Sequence, residues 1–563
     1  MASGYVLDSE TKEPLAYATL GEIGGANGSI TNEDGFFNFF VDSGSVVQVR
    51  FLGYEPKEVS AELFNGKRVT ILLSPKAKRL KTVAIAAEDE RVFGWIDLAK
   101  KQLKKSGYHR SKAFFELFTT KDSIPTEVLE GYYNADLRNG SIESLRYKSG
   151  RVGIAPVEES YFLSLSTSKV IQQQSILRGE AFPNQVFRMS RAQMKEAYNF
   201  SWTESDDGER TVYFQANSAY ERTHFSGFFN LNSDQKITNL ELSISEPAIT
   251  PFIPLIRTDS LRPLELSQKW FFQTVDRDQV PYIVQFEFDY ISGVPLGQPL
   301  NAASYNYYLE RRIKSDCVIY LFDIDNRFNL PIFDYEVYLN DYQKIQNTPF
   351  HKAVWENERP FSESNRYKRN QEFLEKNGTI RNFSRDTGNP LDENRKHIFD
   401  HVNILWSDTN RLRFDQELDT AMAPVVNRYS LPKRSLYKLD TRLYFDVFEG
   451  QDTISHHCEC VFDVYSSYYY LERDSLTNIF INLHFDLCES ERLKLEARIE
   501  ELEDVSAKKL LDLHQLAQKN LSRRIEVFIR ETDSGSSFES LRRYNDRLLS
   551  ETGVNNLEIF LPK

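Results

Sequence analysis

The residues of this chain best equipped for chemistry lie in two short stretches of its C-terminal third. Phe480-Ile481-Asn482-Leu483-His484-Phe485-Asp486-Leu487-Cys488-Glu489 begins a helical pattern in which His484 and Cys488, four residues apart, share a face. His456-His457-Cys458-Glu459-Cys460 reads as a strand, whose period of two puts Cys458 and Cys460 on one side. Cys458, Cys460, Cys488 and His484 could build a structural zinc site of three thiolates and one imidazole. The bland alternatives are reduced core cysteines, or a bridge between Cys460 and Cys488 in an oxidising compartment. A catalytic zinc needs about three protein ligands and an open water position, and His484 with Glu489 supplies at most two. No nucleophile elbow, phosphate-cradling glycine loop or dinucleotide fingerprint occurs. Asp323-Ile324-Asp325-Asn326 lacks the Gly and terminal Glu of a calcium loop and reads as a turn.

The elements that must carry these residues are legible as patterns. Phe480, Leu483, Leu487, Leu495, Ile499, Leu502, Leu510, Leu513, Ala517 and Leu521 form one apolar stripe, which predicts a single long helix from about 474–478 to 520 with a solvated Glu-Lys-Arg face. Strands over 437–448 and 458–470 precede it. Between 356 and 397 the chain is strongly polar, with Gly378, Gly388 and Pro390, and reads as a long connection holding a short helix near 369–376. Alternating segments over 126–137, 210–215, 237–245 and 283–290, after a helix over 91–105, predict a large curved antiparallel sheet wrapped round one or two helices. Before residue 75 short strands alternate with turns, among them Asn32-Glu33-Asp34-Gly35, as in a small β-sandwich.

The 563 residues carry 69 basic and 82 acidic side chains, a formal charge of −13. Nucleic acid is a poor partner for such a surface, because Lys and Arg supply that affinity. The longest apolar stretches, such as 247–256, fall short of the roughly 18–20 residues that span a bilayer. Met1-Ala2-Ser3-Gly4-Tyr5 has neither a basic nor an apolar leader region, and strand residues begin at Tyr5, as expected of a mature or recombinant start.

Three family resemblances add to this reading. Gly4-Tyr5-Val6-Leu7-Asp8, Glu13-Pro14-Leu15-Ala16-Tyr17-Ala18, Ile30-Thr31-Asn32-Glu33-Asp34-Gly35-Phe36-Phe37 and Phe51-Leu52-Gly53-Tyr54-Glu55 resemble the carboxypeptidase-regulatory-like β-sandwich. That resemblance implies a non-catalytic module, common at the N-terminus of bacterial outer-membrane and periplasmic proteins. Phe114-Phe115-Glu116, Glu130-Gly131-Tyr132-Tyr133 and Gly150-Arg151-Val152-Gly153-Ile154 resemble the domain of unknown function 5686, and such a half-open sheet also resembles the lipoprotein-carrier half-barrel. The stretch from Phe480 to Glu489 resembles the zincin-like domain of unknown function 922, whose helix reads H-E-x-x-H-F-D-x-x-E. His484, Phe485-Asp486 and Glu489 match it, and Leu405-Trp406-Ser407-Asp408 resembles its L-x-W-x-D-F opening, one residue shorter and without the Phe directly after the Asp. Glu531-Thr532-Asp533-Ser534-Gly535 and Arg543-Tyr544-Asn545 match its later E-T-x-H-G and x-W-x segments. The first His and the catalytic Glu are replaced by Phe480 and Ile481, and a further His by Ser534, so the resemblance implies a vacated site with no general base.

Together these readings predict a multi-domain, mostly β chain with an α+β C-terminal domain: a β-sandwich over 1–78, a mostly β middle region over 79–395 with a curved antiparallel sheet and polar linker, and a degenerate zincin-like domain with a long helix over 396–563. The expected function is a non-catalytic bacterial envelope protein, of the periplasm or outer membrane, that binds other proteins. Outer-membrane β-barrel proteins or their assembly and export machinery are the expected partners. No catalytic residue, cofactor or nucleic acid is expected. The alternatives are a zinc hydrolase with a rearranged site around His484 and Glu489, joined by Cys458, Cys460 and Cys488 if the zinc is structural, and a carbohydrate-binding surface protein using aromatics such as Tyr468-Tyr469-Tyr470.

Overall fold

In the computed structural model the described residues are 1–23, 28–51, 54–75, 82–85, 90–157, 160–161, 175–179, 182–206, 208–250, 252, 260–295, 308–332, 340–357, 362–382, 403–413, 436–450, 453–464, 466–471, 474, 476 and 477–561. The chain divides into two units, one of residues 1–327 and 358–390 and the other of 328–357 and 391–563. The expected boundaries near 78 and 395 fall outside the described residues. The placement of 328–357 differs from the expected division: Ile332 bridges Phe445 and His351 bonds Asp446, so this stretch of the expected middle region packs with the C-terminal one.

The first unit begins with the sandwich. Ala2–Asp8 lies between Phe36–Phe39 and Arg68–Leu73 in one sheet, and Gly28–Ile30, Thr19–Glu22, Val46–Arg50 and Lys57–Ser60 form the other. Alternation turns Val6, Leu20, Phe37, Val47, Val49 and Ile71 into one core. The turn at 32–35 is built by Asn32, whose Oδ1 accepts the N–H groups of Asp34 (3.0 Å) and Phe36 (2.9 Å). Gly35 follows with φ +71°, and a Cβ there would lie 2.6 Å from the Val6 carbonyl oxygen. The side chains of this turn hold the rest of the unit: Asp34 accepts the Asn365 N–H at 2.6 Å, and Glu33 pairs with Arg366, which also reaches Asp316.

Beyond the sandwich, twelve strands make one antiparallel sheet, in the order Thr379–Arg381, Ser141–Ile154, Ile124–Arg138, His109–Lys121, Tyr308–Phe322, Asp278–Pro295, Ser260–Val275, Ile237–Ser245, Ser226–Leu231, Arg210–Ala216, Tyr198–Glu204, Thr82–Ile85. The expected helix is Glu90–Lys105, and the sheet curves round it: Leu103 meets Gly140 on one side, while Trp95 and Phe93 pack on Trp202 and Phe200 near the far edge. The polar stretch read as a connection supplies the helix Asn365–Asn377, started by Ser364 accepting the Tyr367 N–H, and then the edge strand Thr379–Arg381. Tyr367 and Leu374 cover Phe118 and Val128 on the outer face of the sheet. Below them the buried Glu130 is bonded by Arg151 and by the Tyr367 hydroxyl (2.7 Å).

The second unit packs the strands Thr441–Glu449 and Ile454–Phe462 against Thr477–Glu500, with Ala507–Glu531, Phe538–Thr552 and Asn556–Phe560 behind it. The single long helix expected to about 520 is two: the first ends at Glu500, and Ser506 restarts the chain by accepting the Lys509 N–H. Leu502 and Leu510 keep the apolar phase across the break, which is why the stripe runs on in the sequence. The expected solvated face begins only past Glu491: every residue from Ile479 to Glu491 is buried, whereas Lys494, Arg498 and Glu500 are exposed. No helix among the described residues is long and apolar enough to cross a membrane.

Candidate functional site

A stretch of helix buried all round, as 479–491 is, must be covered on every side. The strands take one side of Thr477–Glu500 and three helices the others, and this draws the residues of the zincin-like resemblance into one region. Phe480 is fully buried, its ring stacked on Phe528 at 5.3 Å and 14° and met edge-on by Tyr437 at 5.8 Å and 83°. The Tyr437 hydroxyl donates to Ser534 Oγ at 3.1 Å. Asp533, Ser534 and Gly535 all have positive φ, and this turn presses so closely on Phe480 that a Cβ on Gly535 would come within 2.8 Å of its ring. Tyr544 packs on Phe528 and donates to Glu531 at 2.8 Å. Positions 480 and 534 are thus neighbours, and rings occupy the space between them.

The remaining candidates are committed elsewhere. His484 is buried, its Nδ1 3.2 Å from the Thr441 hydroxyl and its ring facing Phe528. Glu489 is clasped by the Arg492 guanidinium through Nε (2.8 Å) and Nη2 (2.6 Å). Five residues on a helix turn by about 140°, so His484 and Glu489 leave it in different directions and cannot share an ion. Ile481 lies in the apolar core with Cys458, Cys460 and Cys488. All four cysteines of the chain are free and buried, and burial pushes the Cys458 and Cys460 thiols up. Among the described residues no three His, Cys, Asp or Glu side chains converge in a group that could hold a metal ion.

What the helix holds tightly is Asp486. Its Oδ1 accepts from Trp406 Nε1 (2.7 Å) and Arg411 Nη2 (2.5 Å), and its Oδ2 from Asn556 Nδ2 (2.6 Å). Arg411 also lies over the Trp406 ring and donates to the Ser407 carbonyl at 2.9 Å. One turn earlier Asn482 exchanges hydrogen bonds with the Leu412 backbone, at 3.0 and 2.8 Å. These bonds anchor the segment carrying Leu405-Trp406-Ser407-Asp408 to the helix, so two motifs read separately in the sequence meet as one polar clamp.

His484 gives the unit a dependence on pH. Burial pushes its imidazole from 6.5 down to about 4. The folded state therefore binds fewer protons than the unfolded one between these values, and stability present above pH 6.5 is lost as pH falls through about 4. The stability difference between the native chain and His484→Gln should shrink by about 3 kcal/mol between pH 7 and pH 4. Chemical unfolding at a series of pH values checks this, and a constant difference would refute it.

Reading the sequence also passed over His351, Asp446 and Ser455, which the structure joins through hydrogen bonds. They are far apart in the chain and no local motif marks them. Of the histidine pair that did stand out, His456 reaches Glu496 on the helix (2.7 Å) and His457 stacks on His351. The exposed aromatics Phe40, Tyr108, Tyr213 and Phe538 are scattered along the chain; of the Tyr468-Tyr469-Tyr470 run, Tyr469 is buried against Tyr437, while Tyr468 and Tyr470 are partly exposed with their rings 5.7 Å apart.

With this geometry in place, residues 2–85 match the family model of the CarboxypepD_reg-like domain, which the two-layered sandwich fits. No curated protein matches the chain. Among solved structures, a LolA superfamily protein from Nitrosomonas europaea is 12% identical, with 45% of this chain and 98% of that one covered and a TM-score of 0.18. A protein of the DUF1329 family from Desulfovibrio piger is 12% identical over 44% and 95%, with a TM-score of 0.17. A putative membrane-associated protein of unknown function from Bacteroides fragilis is 9% identical over 58% and 98%, with a TM-score of 0.10.

Proposed function

We propose that this is a protein-binding component of the bacterial envelope, in the periplasm or at the outer membrane, whose zincin-like segment has lost metal hydrolysis and serves as a scaffold. The observation carrying the reading is the filling of the region around Phe480: two of the emptied motif positions abut, stacked rings lie between them, and the surviving His484 and Glu489 are spent on Thr441 and Arg492. A site packed in this way has no room for a hydrated ion or for the water it would activate. The compartment is supported by the CarboxypepD_reg-like match at residues 2–85, a module common at the start of envelope proteins. Outer-membrane β-barrel proteins or their assembly and export machinery are the proposed partners, with the chain as an accessory subunit.

Two measurements test this. Protein purified without chelator should hold substoichiometric zinc; one zinc per chain, lost in His484→Ala, would overturn the pseudoenzyme reading. Cross-linking in intact cells followed by isolation in mild detergent should enrich outer-membrane β-barrel proteins, and a chain recovered without any envelope protein would overturn the partner assignment.

A further inference from the structure

The face of the C-terminal sheet turned away from the central helix carries a separate arrangement. In the paired strands Thr441–Glu449 and Ile454–Phe462, Leu443, Phe445, Val447, Cys458 and Cys460 point into the helical core, so Asp446, Phe448, Ser455 and His457 point the other way. Asp446 pairs with His457 and Phe448 with Ser455, which sets Asp446 and Ser455 diagonally across one face. His351, just before the helix Lys352–Asn357, lies over that diagonal. Its Nδ1 is 2.9 Å from Asp446 Oδ2 and its Nε2 is 3.1 Å from Ser455 Oγ. Stacking of His457 on the imidazole (5.9 Å) and an edge contact from Phe448 (6.4 Å) fix the ring plane.

Proton bookkeeping gives the arrangement a direction. Beside a carboxylate that can only accept, an imidazole carrying one proton places it on Nδ1 and leaves Nε2 to accept from the Ser455 hydroxyl. Asp446 and His351 are buried, whereas Ser455 is partly exposed. An activated hydroxyl open to solvent, a neutral imidazole acceptor and a buried carboxylate that orients it are the parts of a serine acyl-transfer site. We propose that Ser455, His351 and Asp446 form such a site, independent of metal, acting on uncharged carboxylic esters. No lysine or arginine among the described residues is bonded to Ser455, so nothing there selects an anionic substrate.

In the proposed reaction Ser455 Oγ bonds to the ester carbonyl carbon while its proton passes to His351 Nε2. The intermediate then expels the alkoxide, which takes that proton and leaves as an alcohol. Water attacks the acyl-serine, giving its proton to Nε2; the bond to Oγ breaks, Oγ recovers the proton, and a carboxylic acid departs. Asp446 is a positioning residue that holds the imidazole and offsets its transient charge. The donor for the oxyanion is the His456 amide. The Cys460 carbonyl accepts the Trp406 N–H (3.0 Å) on the side away from the Thr441–Glu449 strand. Backbone groups alternate in direction, so the His456 N–H faces that same side, and Ile404–Leu405 pairs only with Val461 and Phe462. Among the described residues no strand pairs with that edge at His456, so its N–H lies there next to the nucleophile.

This inference stands apart from the binding function, since it uses no residue of the region around Phe480. The test treats the full chain with a fluorophosphonate probe and maps the adduct by mass spectrometry, alongside release of nitrophenol from p-nitrophenyl butyrate. The expected result is one adduct per chain on Ser455, with labelling and turnover abolished by Ser455→Ala in a protein of unchanged circular dichroism. His351→Gln should slow labelling by about 100-fold or more. Asp446→Asn should slow it as well and move its pH profile. A folded native chain left unlabelled at Ser455, or turnover unchanged in Ser455→Ala, would overturn the proposal. Should His351→Gln fail to fold, labelling of the native chain decides alone.

Discussion

Asp486→Ala is expected to cost about 3–5 kcal/mol, the range seen when one partner of a buried ion pair is removed. Three donors converge on this carboxylate, and Arg411 is 3% exposed by its side chain. Without Asp486 the guanidinium stays buried with its charge unanswered, and Trp406 Nε1 and Asn556 Nδ2 each lose an acceptor. Asp486→Asn should cost less, since it keeps the shape and one acceptor, but it turns an N–H group toward donors and leaves Arg411 uncompensated. The damage should be local before it is global, because the clamp ties residues 404–412 and the helix Asn556–Phe560 to the central helix. Amide hydrogen exchange is the direct check, read as lost protection across Thr477–Glu500. Protection and urea midpoint both unchanged in Asp486→Ala would show that the clamp does not hold the unit.

Phe480→Ala is the second large effect, expected at about 3–5 kcal/mol for a fully buried phenyl ring. Phe528, Tyr437 and the turn at 533–535 all rest on that ring, and none can close the void without breaking its other contacts. Phe480→Leu should recover much of the loss, as only part of the volume is missing. The paired change Phe480→His with Ile481→Glu, which installs the residues of the zincin-like motif at these positions, separates packing from metal binding. It restores the motif residues and should still lower stability without raising zinc affinity, since buried polar groups would replace apolar ones beside stacked rings. Thermal unfolding with and without zinc distinguishes the outcomes. A paired variant stabilised by zinc would mean that this region can hold a metal once the motif residues are supplied.

The sequence revealed this architecture unevenly, for physical reasons. Strands with one wet face betray themselves by alternation, so 237–245 was read to its exact ends and the helix after residue 90 was placed within a residue. The first half of the helix that matters most, Thr477–Glu500, is dry on every side from Ile479 to Glu491, so its apolar residues mark no face there. The stripe drawn through it was half coincidence, and it ran past Glu500 because nothing apolar falls out of phase there. Phe480, Ile481 and Ser534, the positions read as departures from the zincin-like motif, were visible as residue types, but that rings fill the region depends on Phe528 and Tyr437, which no spacing rule connects to them. His351 was invisible for a simpler cause: its partners are 95 and 104 residues away, and they meet only once the hairpin has formed.

The order of the chain through the two units has a consequence for synthesis. Residues 328–357 belong to the second unit and residues 358–390 to the first, so the polypeptide passes between them three times. As the chain emerges, the large sheet lacks its edge strand until Arg381 has been made, and by then 328–357 is waiting for strands that begin only near residue 437. Neither unit can therefore be cut out as an uninterrupted stretch. A piece starting at 396 would expose Asp446 where His351 should lie, and a piece ending at 327 would lack the helix Asn365–Asn377 that covers Phe118. Each unit is completed only after part of the other has been translated.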